Sequence, residues 1–445
     1  MSALRVPAEL WLEAMSFLAA EYDNNTIISF CLVCKTFCAI GQPFLFRYLS
    51  LEVADEPFRL EETLCGNSGI KIGSYARIMD ISVALELLSL NGDVDWAPVE
   101  LQMAAKRTES LLSRAMATMQ VCPNIESLSL QVYAMGRDAR KKSVKRDIYV
   151  QGWTGRLPRL RSSDLLSLPC LPNLRRLCLV ACRFFDTQAF GQLIAAADQL
   201  EVLQLSGVAQ PELLVPLQKR SHPLEQSQPP RLSRLILSHT ASDAPIYPVL
   251  KSLDKLPTIN RLEMRGPTLE HLIGFNANSK PTLPALPYVT SLILDMDASV
   301  GKHASTGIGR LFPNLDSLSV RMAYAPFCSI FAPATSHAVR LVLVRLELPL
   351  PINPPADQFR QLAHDIRNLH TQLAIAAESG MKQYRLTVDL QAELLPAAIA
   401  DLAAAAKECI SSTPSILDVE IKIGSAVEWT LYRRIGGHVG DEVED

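Results

Sequence analysis

The sequence lacks an apolar stretch long enough to cross a bilayer, which takes roughly 18 to 20 residues. Its N-terminus carries Pro7 and Glu9 where a signal peptide would need an unbroken apolar core. The 10 cysteines among 445 residues are too sparse and too irregularly spaced for a disulfide framework. We therefore expect no membrane contact and a reducing compartment, either the cytoplasm, the nucleus or both.

Catalytic signatures are also missing. There is no His-Glu-x-x-His, no Gly-x-Ser-x-Gly, and the 8 histidines do not cluster. Asp295-Met296-Asp297 fits a turn after a strand better than a metal site. Gly301-Lys302 and Gly307-Ile308-Gly309 lack the remaining residues of a phosphate or dinucleotide loop. The sequence thus predicts a protein that is not an enzyme and holds no cofactor and no metal.

The sequence has no large excess of charge of one sign, because it contains 43 basic and 46 acidic residues. Such a balance gives no general attraction to nucleic acid, so no nucleic-acid partner is expected. Hydrophobic residues make up 48% of the chain, which is typical of a folded protein. The length exceeds one ordinary core and indicates several domains or a solenoid.

The first fifty residues have the pattern of three short helices. Pro7 suits the first turn of a helix, and apolar residues then recur at helical spacing: Leu10, Trp11, Ala14, Met15 and Leu18. Asp23-Asn24-Asn25-Thr26 predicts a turn and cap before a second helix from Ile27 to Cys38, which Gly41 and Pro43 are expected to end. A third short element is predicted at 44–48. A unit this small has apolar surface to spare, which indicates a partner.

Three pieces of this segment resemble the F-box: 6–11 (Val-Pro-Ala-Glu-Leu-Trp), 32–37 (Leu-Val-Cys-Lys-Thr-Phe) and 43–47 (Pro-Phe-Leu-Phe-Arg). They follow the order and approximate spacing of that family. The resemblance implies docking onto a Skp adaptor, which links to a cullin and a RING subunit. The implied contact positions are Pro7, Leu10, Trp11, Met15, Leu18, Val33, Cys34 and Phe37. Which of these face the adaptor and which face the unit's own core stays open. The alternative is an N-terminal helical cap on a repeat array.

Beyond residue 70 a short phrase recurs, with an aliphatic residue, two polar residues, and then Leu-x-Leu. The first leucines of the clearest pairs are 26 to 32 residues apart: Leu177, Leu203, Leu235, Leu262, Leu292 and Leu318. Weaker matches are Ile78-Ile81-Val83, Ala338-Leu341-Leu343 and Ile416-Val419-Ile421. This period suits one strand plus one return segment, stacked in parallel. The 49-residue gap between Leu128 and Leu177 predicts an insertion.

The array resembles the irregular leucine-rich repeats that follow fungal F-boxes. The predicted fold is α/β, with a three-helix F-box at 1–50, a linking segment at 51–72, a solenoid with a parallel sheet at 73–430, and a flexible acidic tail at 431–445. Helices are expected at 189–197, 358–379 and 392–406. The basic segment Arg137–Arg146 is either a solvated loop or a nuclear-localisation or docking segment.

Together the two resemblances imply an adaptor of a Skp–cullin–F-box ubiquitin ligase, whose repeats bind a protein substrate that no motif identifies. The alternative is a non-catalytic repeat scaffold for protein–protein interaction with no role in ubiquitination.

Overall fold

A computed structural model describes the following residues: 8–21, 23–53, 72–87, 106, 109–110, 121–137, 143–146, 159–160, 171–180, 183–184, 199–206, 231–238, 258–265, 285–296, 311–323, 339–348, 356–390, 396–424, 429–435 and 438–444. The chain divides into two compact units, Met1–Leu232 and Ser233–Asp445. The predicted helix at 189–197 lies outside the described residues. Among the described helices, none is long and apolar enough to span a bilayer.

The first unit begins with three helices, namely α1 (Ala8–Ala20), α2 (Asn24–Cys31) and α3 (Lys35–Leu45). The sequence predicted one helix from Ile27 to Cys38, and this was wrong because the chain turns between α2 and α3. Gly41 and Pro43 were expected to end a helix and instead lie inside α3. Pro43 lies in the last turn of α3, and it cannot donate the backbone N–H bond that another residue would make there. The predicted element at 44–48 is the end of α3 and the start of a strand.

A mostly parallel sheet follows the helices in the first unit. Its strands, in spatial order, are β1 (Tyr48–Val53), β2 (Ile78–Leu87), β3 (Ser127–Arg137), β6 (Arg176–Val180) and β8 (Val202–Ser206). A short helix, α4 (Ile72–Tyr75), precedes β2. Strand β4 (Ser143–Arg146) pairs antiparallel with the end of β3, and β5 (Arg159–Leu160) pairs with β7 (Arg183–Phe184). The gap after Leu128 therefore holds extra strands, as the predicted insertion requires.

The second unit has strands of the same kind. Seven strands run parallel in chain order: β9 (Arg234–Ser238), β10 (Arg261–Arg265), β11 (Ser291–Met296), β12 (Ser317–Ala323), β13 (Leu341–Leu348), β14 (Gln383–Leu390) and β15 (Asp418–Gly424). Two antiparallel strands follow, β16 (Trp429–Ile435) and β17 (His438–Glu444). Two return helices, α5 (Ala356–Glu378) and α6 (Pro396–Ser412), agree with the helices predicted at 358–379 and 392–406. The predicted α/β class with a parallel sheet is confirmed.

Neighbouring repeats within each unit are joined by a recurring pair of backbone hydrogen bonds just before many of the parallel strands. One carbonyl accepts N–H groups from two successive residues of the next repeat. Thus Glu126 and Ser127 donate to the Arg77 carbonyl at 2.7 and 3.0 Å, and in the second unit Thr290 and Ser291 donate to the Asn260 carbonyl at 2.9 and 3.0 Å. This arrangement satisfies polar groups at the strand ends that would otherwise be left unpaired near the core.

The leucines of the repeated phrase form the core. Leu177, Leu203, Leu262, Leu292 and Leu318 are all fully buried. Burial of each such side chain stabilises the fold by about 1.5–3 kcal/mol. One weaker match, in β13, was wrong in register. In β13 the buried residues are Val342, Val344 and Leu346, whereas the predicted Leu341 and Leu343 are half-buried, because Val342 is aligned with Leu318 of β12. Ala338 lies outside the described residues.

In the weak match at the C-terminal end, Val419 and Ile421 are buried as predicted. Ile416, which precedes β15, is 73% exposed, and the adjacent Leu417 is buried in its place. A shift of one residue moves a strand's side chains to the opposite face, so hydrogen-bond register decides which alternate set enters the core.

The ends of the predicted domains also differ from the structure. Sheet pairing begins at Tyr48, because β1 is aligned with β2 over its whole length. At the other end, β17 covers 438–444, where a flexible tail was predicted, and pairs with β16. The tail prediction overlooked that antiparallel pairing can order a polar, glycine-containing strand through its backbone.

Candidate docking surface on the N-terminal helices

Three aromatic rings hold the N-terminal helices together. Trp11 of α1 lies 5.3 Å from Phe30 of α2 and 5.0 Å from Phe37 of α3, measured between ring centroids. Phe30 and Phe37 are stacked at 4.3 Å. Each helix contributes one ring, and Met15 and Ile27 are buried beside them at 2% and 0% exposure. The three helices thus have a small core of their own.

Helix α1 carries two apolar stripes with the same spacing. Trp11, Met15 and Leu18 are at positions i, i+4 and i+7, and they are buried or half-buried. Leu10 and Phe17, which share a second stripe at i and i+7, are 53% and 66% exposed. Residues with this spacing lie on one side of a helix. One stripe therefore packs inward and the other faces solvent.

The turn between α2 and α3 is the most exposed apolar segment of the cluster. Leu32 is 80% exposed and Val33 is 67% exposed. Phe30 and Phe37 flank this turn in sequence, and both contact Trp11, the neighbour of Leu10. The aromatic contacts therefore bring the turn close to the first turn of α1. We call Leu10, Phe17, Leu32 and Val33 the apolar surface.

A close approach of two helices fixes the position of this turn. Gly41 of α3 is buried, and a Cβ added there would lie 2.3 Å from Sγ of Cys31 in α2. Only a residue without a side chain leaves room for this contact. The glycine that the sequence suggested as a helix end is thus a packing position between α2 and α3.

Both helices that flank the turn begin with a cap. Asp23 accepts hydrogen bonds from the hydroxyl and the N–H of Thr26, at 2.6 and 3.1 Å, and these bonds lower the pKa of its carboxyl group. The Cys34 thiol accepts a hydrogen bond from the Phe37 N–H at 3.5 Å at the start of α3. Burial, followed by the nearby Cys38, raises the pKa of the Cys31 thiol. Cys31 is half-buried and Cys34 is exposed.

The structure separates the eight predicted contact residues into groups. Leu10, Val33 and Cys34 are exposed. Trp11, Leu18 and Phe37 are half-buried in the helical cluster, and Met15 is buried. Pro7 lies outside the described residues. The sequence reasoning missed Phe17 and Leu32, although the i, i+7 spacing of Phe17 from Leu10 was available as a signal.

The structure also bears on two other segments considered in the sequence, the basic segment Arg137–Arg146 and the turn at Asp295. Arg137 ends β3, and 143–146 form β4, so the flanks of the basic segment are strands rather than a loop. Within the part of the chain that the structure describes, no group of three or more His, Cys, Asp or Glu side chains could hold a metal ion. Asp295 instead lies 3.8 Å from the Arg321 guanidinium.

Comparisons with known proteins identify no family for this chain. No protein-family model matches the chain, and no curated protein matches it.

Proposed function

We propose that this chain is a substrate-recognition adaptor of a Skp–cullin–F-box ubiquitin ligase. Its N-terminal helices bind a Skp adaptor, and through it the cullin and RING subunits, while the repeats bind a protein substrate. The order of the F-box-like pieces supports the first part. The parallel repeats, whose strands present alternate side chains to solvent, support the second.

One observation carries the proposal: the helical cluster has a core of its own and still exposes large apolar side chains. Leu32 and Val33 are more than two-thirds uncovered, at 80% and 67%. Several large exposed apolar side chains on one small folded unit are typical of a protein interface. Burying four such side chains against a partner provides several kcal/mol before the cost of association is subtracted, at about 1.5–3 kcal/mol each.

The proposed mechanism is proximity, with the chemistry carried out on other subunits. An adaptor that holds a substrate beside a ubiquitin-conjugating enzyme raises the effective concentration of the substrate's lysines. The chain itself then needs no acid–base or nucleophilic residues.

The test is co-purification of the intact chain with a Skp adaptor and a cullin. We expect the double variant Leu10→Asp, Val33→Asp to lose both, because two buried charges would be unpaired in the interface. The matched control is Ile416→Asp, which places a charge on an equally exposed aliphatic residue (73%) of the second unit and should leave both partners bound.

Retention of both partners by the double variant would refute the proposal. Binding of the Skp adaptor without any cullin, or of neither by the wild-type chain, would favour the alternative of a repeat scaffold outside ubiquitination.

A further inference from the structure

Two arginines lie side by side on the solvent face of the second unit's sheet. Arg321 of β12 is aligned with Arg345 of β13, and both side chains are 51% exposed. The residues that alternate with them, Val320, Val344 and Leu346, are buried in the core. The guanidinium groups therefore share the face opposite the core, on strands that are about 4.8 Å apart.

This pairing is unfavourable for the sheet by itself. Like charges directly opposite on neighbouring strands destabilise a sheet. Each arginine has an acidic neighbour, since Arg345 bonds to Asp389 at 2.5 Å and Arg321 lies 3.8 Å from Asp295. Local rules tend to be broken at functional sites, which makes this pair a candidate for anion recognition.

The same row of the sheet is basic over six strands. The aligned residues, one for each strand from β10 to β15, are Arg265, Asp295, Arg321, Arg345, Thr387 and Lys422. Four of the six are cationic and one is anionic. The row spans about 24 Å, which an extended chain of roughly seven residues covers.

Beside the arginine pair, the row two positions earlier in each strand has two aliphatic side chains and one serine. Ile293, Ser319 and Leu343 are aligned there, and all three are half-buried. A peptide that lies along the basic row would place aliphatic side chains on these residues.

We infer that Arg321 and Arg345 are the centre of a docking surface for an extended, carboxylate-rich protein segment with interspersed aliphatic residues. Charge complementarity identifies the occupant, because arginine binds carboxylates with paired, charge-assisted hydrogen bonds. The inference rests on the proposed function only in naming that segment as part of a substrate. The binding itself is independent of the N-terminal helices.

The experiment measures fluorescence anisotropy of a labelled extended peptide rich in Glu with interspersed Leu, titrated with the intact chain at low salt. A second peptide has Gln in place of every Glu, and a third has phosphoserine. We expect the Glu peptide to bind at least about ten-fold more tightly than the Gln peptide, and to weaken as salt is added.

The double variant Arg321→Glu, Arg345→Glu should lower affinity for the Glu peptide at least about ten-fold. Its control is Arg340→Glu, Arg367→Glu, with the same change in net charge at arginines outside this row, which are 67% and 37% exposed. Circular dichroism checks that each variant is folded, and Arg321→Gln, Arg345→Gln replaces the charge-reversed variant if that one unfolds.

The inference is overturned by equal binding of the Glu and Gln peptides, by equal losses in the two double variants, by binding of the phosphoserine peptide alone, or by no binding at all. None of these results involves the Skp adaptor, so failure here and failure of the proposed function are distinguishable.

Discussion

Phe30 of α2 and Phe37 of α3 stack face to face, with ring centroids 4.3 Å apart and ring planes 9° from parallel. Trp11 of α1 contacts both rings. This contact joins all three N-terminal helices while leaving Leu32 and Val33, which lie between the two phenylalanines in sequence, exposed to solvent. A single cluster thus stabilises the helices and presents the apolar surface.

We expect Phe37→Ala to destabilise the helical cluster by about 2–3 kcal/mol, because it removes a half-buried ring and two aromatic contacts. Amide hydrogen exchange of α1, α2 and α3 measures this local stability. The control is Phe17→Ala, which truncates a ring that is 66% exposed and should leave exchange unchanged. Equal exchange in the two variants would show that the stack contributes little.

Gly41→Ala should destabilise the packing of α2 on α3, since the new Cβ would lie 2.3 Å from the Cys31 sulfur. We expect a loss of about 1–3 kcal/mol. Adding Cys31→Ala removes the clashing atom, so the double variant should be more stable than the sum of the two single effects predicts. Urea unfolding of all four proteins tests this, and strictly additive effects would contradict the contact.

Phe17 and Met15 should respond differently to a charge. Phe17→Asp alters the exposed stripe of α1 and should weaken Skp-adaptor binding at least about ten-fold without changing helix protection. Met15→Asp buries a charge at a site that is 2% exposed and should unfold the helices as well as abolish binding. Binding titrations paired with hydrogen exchange check both variants. Undiminished binding of the Skp adaptor by Phe17→Asp would show that Phe17 takes no part in that binding.

Glu263 should make stability depend on pH. It is buried, and it accepts hydrogen bonds from Arg234 at 2.6 Å and from Arg265 at 2.8 Å. Burial alone would raise the pKa of its carboxyl group, but the two arginines outweigh burial and hold the pKa below its usual range. The ionised form is therefore favoured by folding. Its stabilisation is complete above the pKa of the unfolded chain and is lost as the pH falls through the lower folded pKa.

We expect Glu263→Gln to cost roughly 1–2 kcal/mol at neutral pH and progressively less in acid, as the wild-type carboxylate becomes protonated. Urea unfolding from neutral to acidic pH measures the difference. Glu126→Gln serves as control, because this side chain is 47% exposed and 3.8 Å from Arg77, and it should change stability by no more than about 0.5 kcal/mol. A difference independent of pH would show that the ion pairs are not responsible.

The repeat pattern shows how much of the fold can be predicted from the sequence. The Leu-x-Leu pairs predicted both the strands and their parallel stacking, because one repeat cannot bury its two leucines without a neighbouring repeat stacked beside it. The pattern failed in β13, where Leu341 and Leu343 alternate with Val342 and Val344. Both sets are equally apolar, so alternation cannot choose between them, and pairing with β12 places the valines inside.

The apolar surface of the N-terminal helices also shows what the sequence could and could not predict. The spacing of apolar residues in the first fifty positions indicated helices with surplus hydrophobic surface. It could not indicate that Leu10 is exposed and Trp11 is not, because the two are neighbours and both fit a helical stripe. Contacts with Phe30 and Phe37, which come from other helices, turn Trp11 inward and leave Leu10 outside.

By itself, the sequence determined the α/β class, the positions of most strands in the repeats and the helical nature of the N-terminus. These follow from local periodicity, which each segment carries within its own residues. Only the tertiary structure decided which side of each element is covered, and that Arg321 stands beside Arg345. The reason is physical: burial and pairing depend on contacts between segments that are distant in the chain, and no local pattern encodes their register.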